Sequence, residues 1–261
     1  MAKVRVGIGG WIFEPWRGSF YPKGLPQSQE LHHASRQLSS IEVNGTYYRA
    51  PSPDTYSKWH DEVPDDFVFA LKAPRYATNR KVLAEAEPSI TRFIEGGIAR
   101  LGPKLGPINW QFMATKKFDP ADFEAFLKLL PPEVDGLPLR HAVELRHDSF
   151  AVPEAVGMMT RHNVAIICGA DSEHPLIADP TADFVYVRAM GTTDAHEEGY
   201  STQALDDWAR RAKSWAEGHL PQDMPLLTKP ERKPRDVYLY VISGEKARNP
   251  AAAVSIINRL R

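Results

Sequence analysis

The sequence predicts a (β/α)8 barrel of the TIM type, an α/β fold, as one domain that spans residues 1–261. Short apolar segments rich in β-branched and aromatic residues recur along the whole chain, and helical periodicity follows most of them. This alternation is typical of consecutive βαβ units. Eight strand–helix units in 261 residues also match the usual size of such a barrel, about 250 residues.

Eight segments have the composition of buried strands. In chain order they are Val4–Ile8, Ser40–Asn44, Phe67–Leu71, Ile108–Phe112, His141–Leu145, Val164–Ile167, Phe184–Arg188 and Val237–Val241. An open, doubly wound sheet is the alternative arrangement. A dinucleotide-binding sheet of that kind would show a Gly-x-Gly-x-x-Gly turn that opens a helix, whereas the glycines at 7–10 precede a stretch with the features of a loop.

Capping residues as well as periodicity predict several of the helices. An N-cap side chain accepts a hydrogen bond from the first helical turn, and proline is favoured at the first helical position. The predicted start sites are Ser52 before Pro53, Asp119 before Pro120, and Ser201 or Thr202. A closing helix covers 253–260. We interpret the aromatic stripes on these helices as core, and we predict no cofactor.

Composition excludes several classes of protein. The formal net charge is -1, so no overall field would attract nucleic acid or an anionic membrane. The one cysteine, Cys168, lies in an apolar segment, which excludes a disulfide scaffold and a cysteine-rich metal site. Because neither a secretory signal nor a membrane-spanning segment is evident, we expect a cytoplasmic protein without a membrane partner.

The parity of strand-end residues predicts one pocket. Alternate side chains of a barrel strand point inward, and those at the carboxyl end face the site that barrel enzymes use. This rule selects polar residues on six strands, namely Glu42, Asn44, Lys72, Asn109, Gln111, Glu144, Arg146, Asp171, Tyr186 and Arg188. From position alone, Trp11 and Tyr47 are added as rim residues, because each follows a strand end.

The charged members of this set suggest acid–base chemistry on an anion. Two carboxylates in one pocket can divide the acid and base roles, and we choose Glu42 and Glu144 as the catalytic pair. Lys72, Arg146 and Arg188 can bind a carboxylate or phosphate. The alternative is a purely structural network in which Glu42 pairs with Lys72 and Glu144 with Arg146.

A metal site is the competing interpretation. His147, Glu144, Asp171 and Glu42 are ligand types for zinc or manganese. We nevertheless predict no metal, because the sequence has no His-Glu-x-x-His motif and three nearby cations would repel a divalent ion. His147 and Asp171 are then expected to contact the small ligand.

A basic segment at 229–235 resembles a nucleic-acid patch. It precedes the eighth strand, however, and should therefore lie at the end of the barrel opposite the pocket. We interpret it as a solvated loop and do not expect nucleic acid as a partner.

Several motifs resemble the YecE-like family, domain of unknown function 72. They are Gly10-Trp11 with the segment 16–22, Glu42-Val43-Asn44 with Tyr47-Tyr48-Arg49, Lys72-Ala73-Pro74, Glu144-Leu145-Arg146-His147, and the seventh strand 183–188. The resemblance implies a barrel related to the endonuclease IV and xylose isomerase type, without an established activity. Departures occur at Asn79 and Met190, where the family pattern has histidines, after Gln111, which lacks the usual Leu-Pro, and at Ser243-Gly244, where it has Asn-Asn-Asp.

Three functions are compatible with these features. The first is an enzyme that uses metal-independent acid–base chemistry on a small polar or anionic compound, such as a sugar or a phosphate ester. The second is a metal-dependent phosphodiesterase or nuclease, suggested by the related barrels. The third is a ligand-binding protein without turnover. Fold alone does not choose among them.

Overall fold

The computed structural model describes residues 2–261. Eight parallel strands close into a barrel in which the first strand pairs with both the second and the eighth. In chain order these strands are β1 (Val4–Gly9), β2 (Ser40–Val43), β3 (Val68–Lys72), β4 (Leu105–Gln111), β5 (His141–Glu144), β6 (Ala165–Ala170), β7 (Phe184–Ala189) and β8 (Asp236–Val241). The predicted fold class is confirmed.

Eight α-helices accompany the strands. They are α1 (Glu30–Gln37), α2 (Pro53–Glu62), α3 (Arg75–Thr78), α4 (Glu87–Ile94), α5 (Pro120–Lys128), α6 (Pro153–Arg161), α7 (Thr202–Ala216) and α8 (Asn249–Leu260). The alternation of strands and helices has one exception, because residues 171–183 connect β6 to β7 without a helix. A small antiparallel hairpin precedes β5, in which the two-residue strands Glu133–Val134 and Leu137–Pro138 pair with each other.

The predicted helix caps are present. Asp119 accepts hydrogen bonds from the backbone N–H groups of Ala121 and Asp122 at 3.1 Å, and Ser52 accepts one from Thr55 at 3.4 Å. Of the two candidates before α7, Ser201 is the cap. Each of these side chains satisfies a backbone donor that has no partner within the first turn.

The core lies both inside the barrel and between the barrel and its helices. On the helix side, Trp208 and Trp215 of α7 are buried, as the apolar spacing predicts. Inside the barrel, a layer of apolar and aromatic side chains, including Tyr186 and Tyr240, fills the space below the carboxyl ends of the strands. The polar side chains at the carboxyl ends of the strands therefore pack against this closely packed layer inside the barrel.

Within the described residues, no helix is both long and apolar enough to cross a lipid bilayer.

Candidate active site

Glu42, Arg188 and Glu144 form a buried ionic cluster at the carboxyl end of the barrel. Arg188 of β7 donates from Nη1 to both oxygens of Glu144 at 2.8 Å and from Nη2 to Glu42 Oε1 at 3.2 Å. All three residues are buried. Arg188 therefore bridges Glu42 and Glu144, the two carboxylates selected from the sequence, at the carboxyl end of the barrel.

Glu42 receives two further hydrogen bonds at its second oxygen. Tyr186 Oη donates to Glu42 Oε2 at 2.5 Å, and Asn109 Nδ2 donates to the same oxygen at 3.3 Å. Burial, followed by the charge of Glu42, raises the pKa of the Tyr186 hydroxyl well above its ordinary value. Tyr186 therefore remains a hydrogen-bond donor that holds Glu42 in place.

Glu144 is held as a carboxylate by three cations. Besides the Arg188 contacts, Glu144 Oε1 accepts from Arg146 Nε at 3.0 Å and from Arg146 Nη2 at 2.7 Å. Burial alone would raise the pKa of Glu144, but the positive charges of Arg188, Arg146 and Lys72 outweigh it and lower the pKa to about 2. Burial opposes the charged form of Arg188 as well, and Glu144 and Glu42 reverse that effect to raise its pKa.

Lys72 lies beside this cluster without a carboxylate of its own. Its Nζ is 4.7 Å from the centroid of the Tyr47 ring, and within residues 2–261 it makes neither a hydrogen bond nor an ion pair. Burial and then Arg188 lower the pKa of the amine to about 8, with Arg146 acting in the same sense, while Glu42 and Glu144 oppose the shift. In the alternative network, the pairing of Glu42 with Lys72 is absent because Arg188 binds that carboxylate, whereas the pairing of Glu144 with Arg146 is present.

An accessible polar layer covers the cluster. Arg146 Nη2 donates to Gln111 Oε1 at 2.8 Å, and the Tyr47 hydroxyl accepts from Asn79 Nδ2 at 3.4 Å and from Gln111 Nε2 at 3.5 Å. The Arg146 side chain is 24% exposed, whereas that of Glu144 is 3% exposed. A ligand that enters from solvent would therefore contact this layer before it reached either carboxylate.

Two predicted ligand contacts lie apart from this layer. The His147 ring accepts a hydrogen bond from the backbone N–H of Ser149 at 3.1 Å and so caps the short turn Asp148–Phe150. Asp171 is exposed at the end of β6 and accepts from Tyr200 Oη at 3.0 Å. Neither side chain forms a hydrogen bond to the cluster within the described part of the chain.

A cavity of about 660 Å³ lies at the same end of the barrel, over the ends of β1 and β2. Trp11 and Asn44 line it, together with Trp59, Arg49 and Lys246. The Trp11 and Trp59 rings meet edge to face at 5.1 Å between centroids. The cavity has the size of a small-molecule site, and the residues that line it include two cations and no carboxylate.

A glycine permits this arrangement around Asn44. A Cβ atom on Gly9 would lie 2.8 Å from Asn44 Nδ2, a distance too short for an unstrained contact. A side chain at residue 9 would therefore force the Asn44 amide to move from its present position.

Sequence reasoning missed several residues of the site. Tyr186 and Asn109 were selected by parity but were not counted among the functional residues, although both bind Glu42 directly. The cavity residues Trp59, Arg49 and Lys246 come from α2, from a loop and from a short 3-10 helix, respectively, and no strand parity applies to any of them. Asn79 was noted only as a departure from the family pattern, yet it contacts Tyr47.

Potential metal ligands do not converge here. Across residues 2–261, no three His, Cys, Asp or Glu side chains are grouped so that they could bind a metal ion. The Glu144 oxygens bind two guanidinium groups at 2.7 to 2.8 Å. Of the other three candidate ligands, Glu42 binds Arg188 and Tyr186, His147 caps a turn and Asp171 binds Tyr200.

Residues 5–261 match the family model described as protein of unknown function DUF72. The chain belongs to this family. The resemblance of the sequence motifs is thereby confirmed.

Other DUF72 proteins share the fold. A DUF72 family protein from Thermotoga maritima superposes with a TM-score of 0.76 over 99% of both chains, at 23% identity. One from Enterococcus faecalis V583 gives 0.69 at 17% identity, over 100% of this chain and 98% of the other. At these identities the likeness concerns the fold.

Among curated proteins, the UPF0759 protein YecE of Escherichia coli K12 is 27% identical over 150 residues. The matched region covers 56% of this chain and 50% of the length of that relative. Neither the family description nor the relative's name specifies a reaction.

Proposed function

We propose that this DUF72 protein is an enzyme that acts on a small anionic compound by acid–base chemistry without a metal. One observation carries the proposal: each buried carboxylate already pairs with arginine, while the neighbouring Lys72 amine has no anionic partner among the described residues. Three side-chain cations thus surround two carboxylates. A bound anion would neutralise the excess charge.

Arg146 supports an anion at this position. Its Nε and Nη2 bind Glu144 and Gln111, and its Nη1 donors make no hydrogen bond in the described part of the chain. Because guanidinium groups match phosphate and carboxylate geometry, a partly exposed arginine with unused donors is suited to an anionic substrate. The substrate's charge would sit above Glu144 and beside Lys72.

The contacts favour Lys72 as the proton carrier. The pKa of the amine, about 8, is close to neutral pH, and a general acid or base is most efficient when its pKa lies near the working pH. Glu144, with a pKa of about 2, is a weak base that we propose serves as the fixed counter-ion of both arginines. The earlier assignment of Glu42 and Glu144 as an acid–base pair stays a prediction.

A divalent metal would have to compete with these arginines. To bind Glu144 it would displace two guanidinium groups that already occupy the carboxylate at 2.7 to 2.8 Å. It would also lie close to three cations, whose repulsion is strong in a buried site. These contacts favour the metal-independent form of the proposal.

Thermal unfolding with inorganic phosphate, zinc or manganese tests the anion site. Phosphate should stabilise the protein, and Arg146→Ala should weaken phosphate binding about 10-fold to 100-fold, the value of a hydrogen bond to a charged group. Arg232→Ala is the matched control, because Arg232 is exposed ahead of β8 at the opposite end of the barrel. Equal phosphate affinity in both variants would overturn the anion site.

Turnover tests the catalytic half of the proposal. A panel of phosphate esters and anionic sugars is offered to the protein in chelator-treated buffer, and the activity should disappear in Arg146→Ala. Turnover that depends on added zinc or manganese would instead indicate metal-dependent hydrolysis. Phosphate binding with no turnover across the panel would indicate a binding protein.

A further inference from the structure

Lys72 has the surroundings of a nucleophilic lysine. We propose that the substrate is an aldehyde or ketone that also carries a phosphate or carboxylate, and that Lys72 Nζ forms an imine with its carbonyl carbon. This inference rests on the proposed anion-binding function and adds to it the chemical class of the substrate. Four observations support it.

First, the Lys72 amine is unused, unlike that of another buried lysine. Lys104 is 4% exposed and Lys72 is 8% exposed, so the two are similarly buried. Lys104 Nζ donates to the carbonyl oxygens of His60 at 2.7 Å and Val63 at 2.8 Å, which is a structural role. Lys72 Nζ lies over the Tyr47 ring and makes no hydrogen bond among the described residues, so its lone pair is available once the amine loses its proton.

Second, the charges around Lys72 favour the neutral amine. The titratable and charged groups that face it come from four places around the barrel end: Glu42 on β2, Glu144 and Arg146 at the end of β5, Arg188 on β7, and Tyr47 after β2. Arg188 pairs with both carboxylates, and their attraction for the ammonium form does not outweigh burial and the repulsion from Arg188 and Arg146. A lysine that is desolvated and close to other cations is an activated nucleophile.

Third, the donors for the rest of the substrate lie next to the amine. The free Nη1 of Arg146 can bind a phosphate or carboxylate while Nε and Nη2 stay on Glu144 and Gln111. Arg188 is too deeply buried, at 3% exposure, to leave its carboxylates. The substrate's anion would therefore bind at Arg146, and its carbonyl would lie towards Lys72.

Fourth, Tyr47 offers a proton at the right place. Its oxygen accepts from Asn79 and Gln111, and in this arrangement its own hydrogen is uncommitted. In the proposed step, the Lys72 nitrogen attacks the carbonyl carbon, a proton moves from nitrogen to the carbonyl oxygen, and the carbinolamine results. The C–O bond then breaks, the hydroxyl leaves as water with the proton of Tyr47, and a protonated imine remains.

Reductive trapping tests this directly. The intact protein is incubated with sodium cyanoborohydride and pyruvate or glyceraldehyde 3-phosphate, and the modified lysine is located by peptide mass spectrometry. Lys72 should be labelled at least about 10-fold faster than other lysines, because an amine with a pKa near 8 is neutral far more often at pH 7 than an ordinary one. The labelling rate should rise with a midpoint near pH 8.

Two variants distinguish imine formation by Lys72 from a contribution of its positive charge to anion binding. Lys72→Arg keeps the positive charge, so it should still bind inorganic phosphate but should not be trapped. Lys104→Arg is the matched control at a buried, hydrogen-bonded lysine and should be trapped at Lys72 as in the wild type. Lys72→Gln provides a second variant in case the arginine does not fit.

The possible results are distinguishable. Labelling spread over surface lysines, or a midpoint near pH 10 at Lys72, would overturn the imine. If Lys72 of the wild type is not selectively trapped while phosphate still stabilises both the wild type and Lys72→Arg, the proposed anion site stands and only the imine fails. If phosphate stabilises neither, the proposed function fails with it.

Discussion

Glu144→Gln is the most informative single change, because it removes the charge that holds Arg188 and Arg146 while it keeps the shape of the side chain. The folded-state pKa of Glu144 is about 2, against an ordinary value of 4.5. At about 1.36 kcal/mol for each pH unit, this difference corresponds to roughly 3 kcal/mol of stability above pH 4.5. Removal of one partner of a buried ion pair costs about 3 to 5 kcal/mol in general, which agrees with that value.

The assay is urea denaturation at pH 7, with the free energy of unfolding extrapolated to water. Glu124→Gln is the matched control, because Glu124 is a partly exposed glutamate whose nearest lysine, Lys128, lies 3.7 Å away. It should change stability by less than about 0.5 kcal/mol. A second variant, Glu144→Gln with Arg188→Met, should be less stable still, because the buried Glu42 carboxylate then loses its guanidinium partner.

The pH dependence gives an independent check. A carboxylate whose folded pKa is depressed contributes stability above its unfolded pKa, and the contribution disappears as the pH falls through the folded value. The difference between the wild type and Glu144→Gln should therefore be constant above about pH 4.5 and narrow as the pH approaches 2. A loss below about 1 kcal/mol at pH 7, or a difference that is the same at pH 3, would refute the ionic role of Glu144.

Two further predictions concern neighbouring side chains. Lys72→Met should be more stable than the wild type at pH 7, because the folded-state pKa of Lys72, about 8, lies below the ordinary 10.5 and the wild-type protein gains stability as the pH rises from 8 to 10.5. The difference in unfolding free energy between the two proteins, measured by urea denaturation, should be smaller at pH 10 than at pH 7. A difference that is independent of pH would contradict this. Tyr186→Phe should lower the free energy of unfolding by about 2 kcal/mol, since the Tyr186 hydroxyl donates to the Glu42 carboxylate. Tyr240→Phe should lower it by about 1 kcal/mol, because the Tyr240 hydroxyl shares a neutral 2.7 Å hydrogen bond with Ser40. Equal losses of unfolding free energy in the two phenylalanine variants would argue that Glu42 is not the charged acceptor.

The position of the site could be predicted from the sequence because strand parity is a local property. Glu42, Glu144 and Arg188 each share a face with the inward residues of their own strand, and that face is set by the two-residue period of the backbone. Parallel strands in a closed barrel then bring all carboxyl ends to one rim. Helix starts such as Asp119 followed by Pro120 were predictable for the same reason, since a cap acts within one turn.

The choice of partners needed the tertiary structure. A structural network in which Glu42 pairs with Lys72 on the adjacent strand was the alternative compatible with the sequence. Arg188, 146 residues from Glu42 in the chain, instead binds Glu42 and Glu144 together. Which cation lies nearest depends on how strands that are far apart in sequence curve towards each other. The free amine of Lys72 is a consequence of that competition. The sequence by itself determined which strand residues face the barrel mouth. Only the closed barrel decided which of them remain unpaired, because pair distances across a barrel depend on its closure rather than on any one strand.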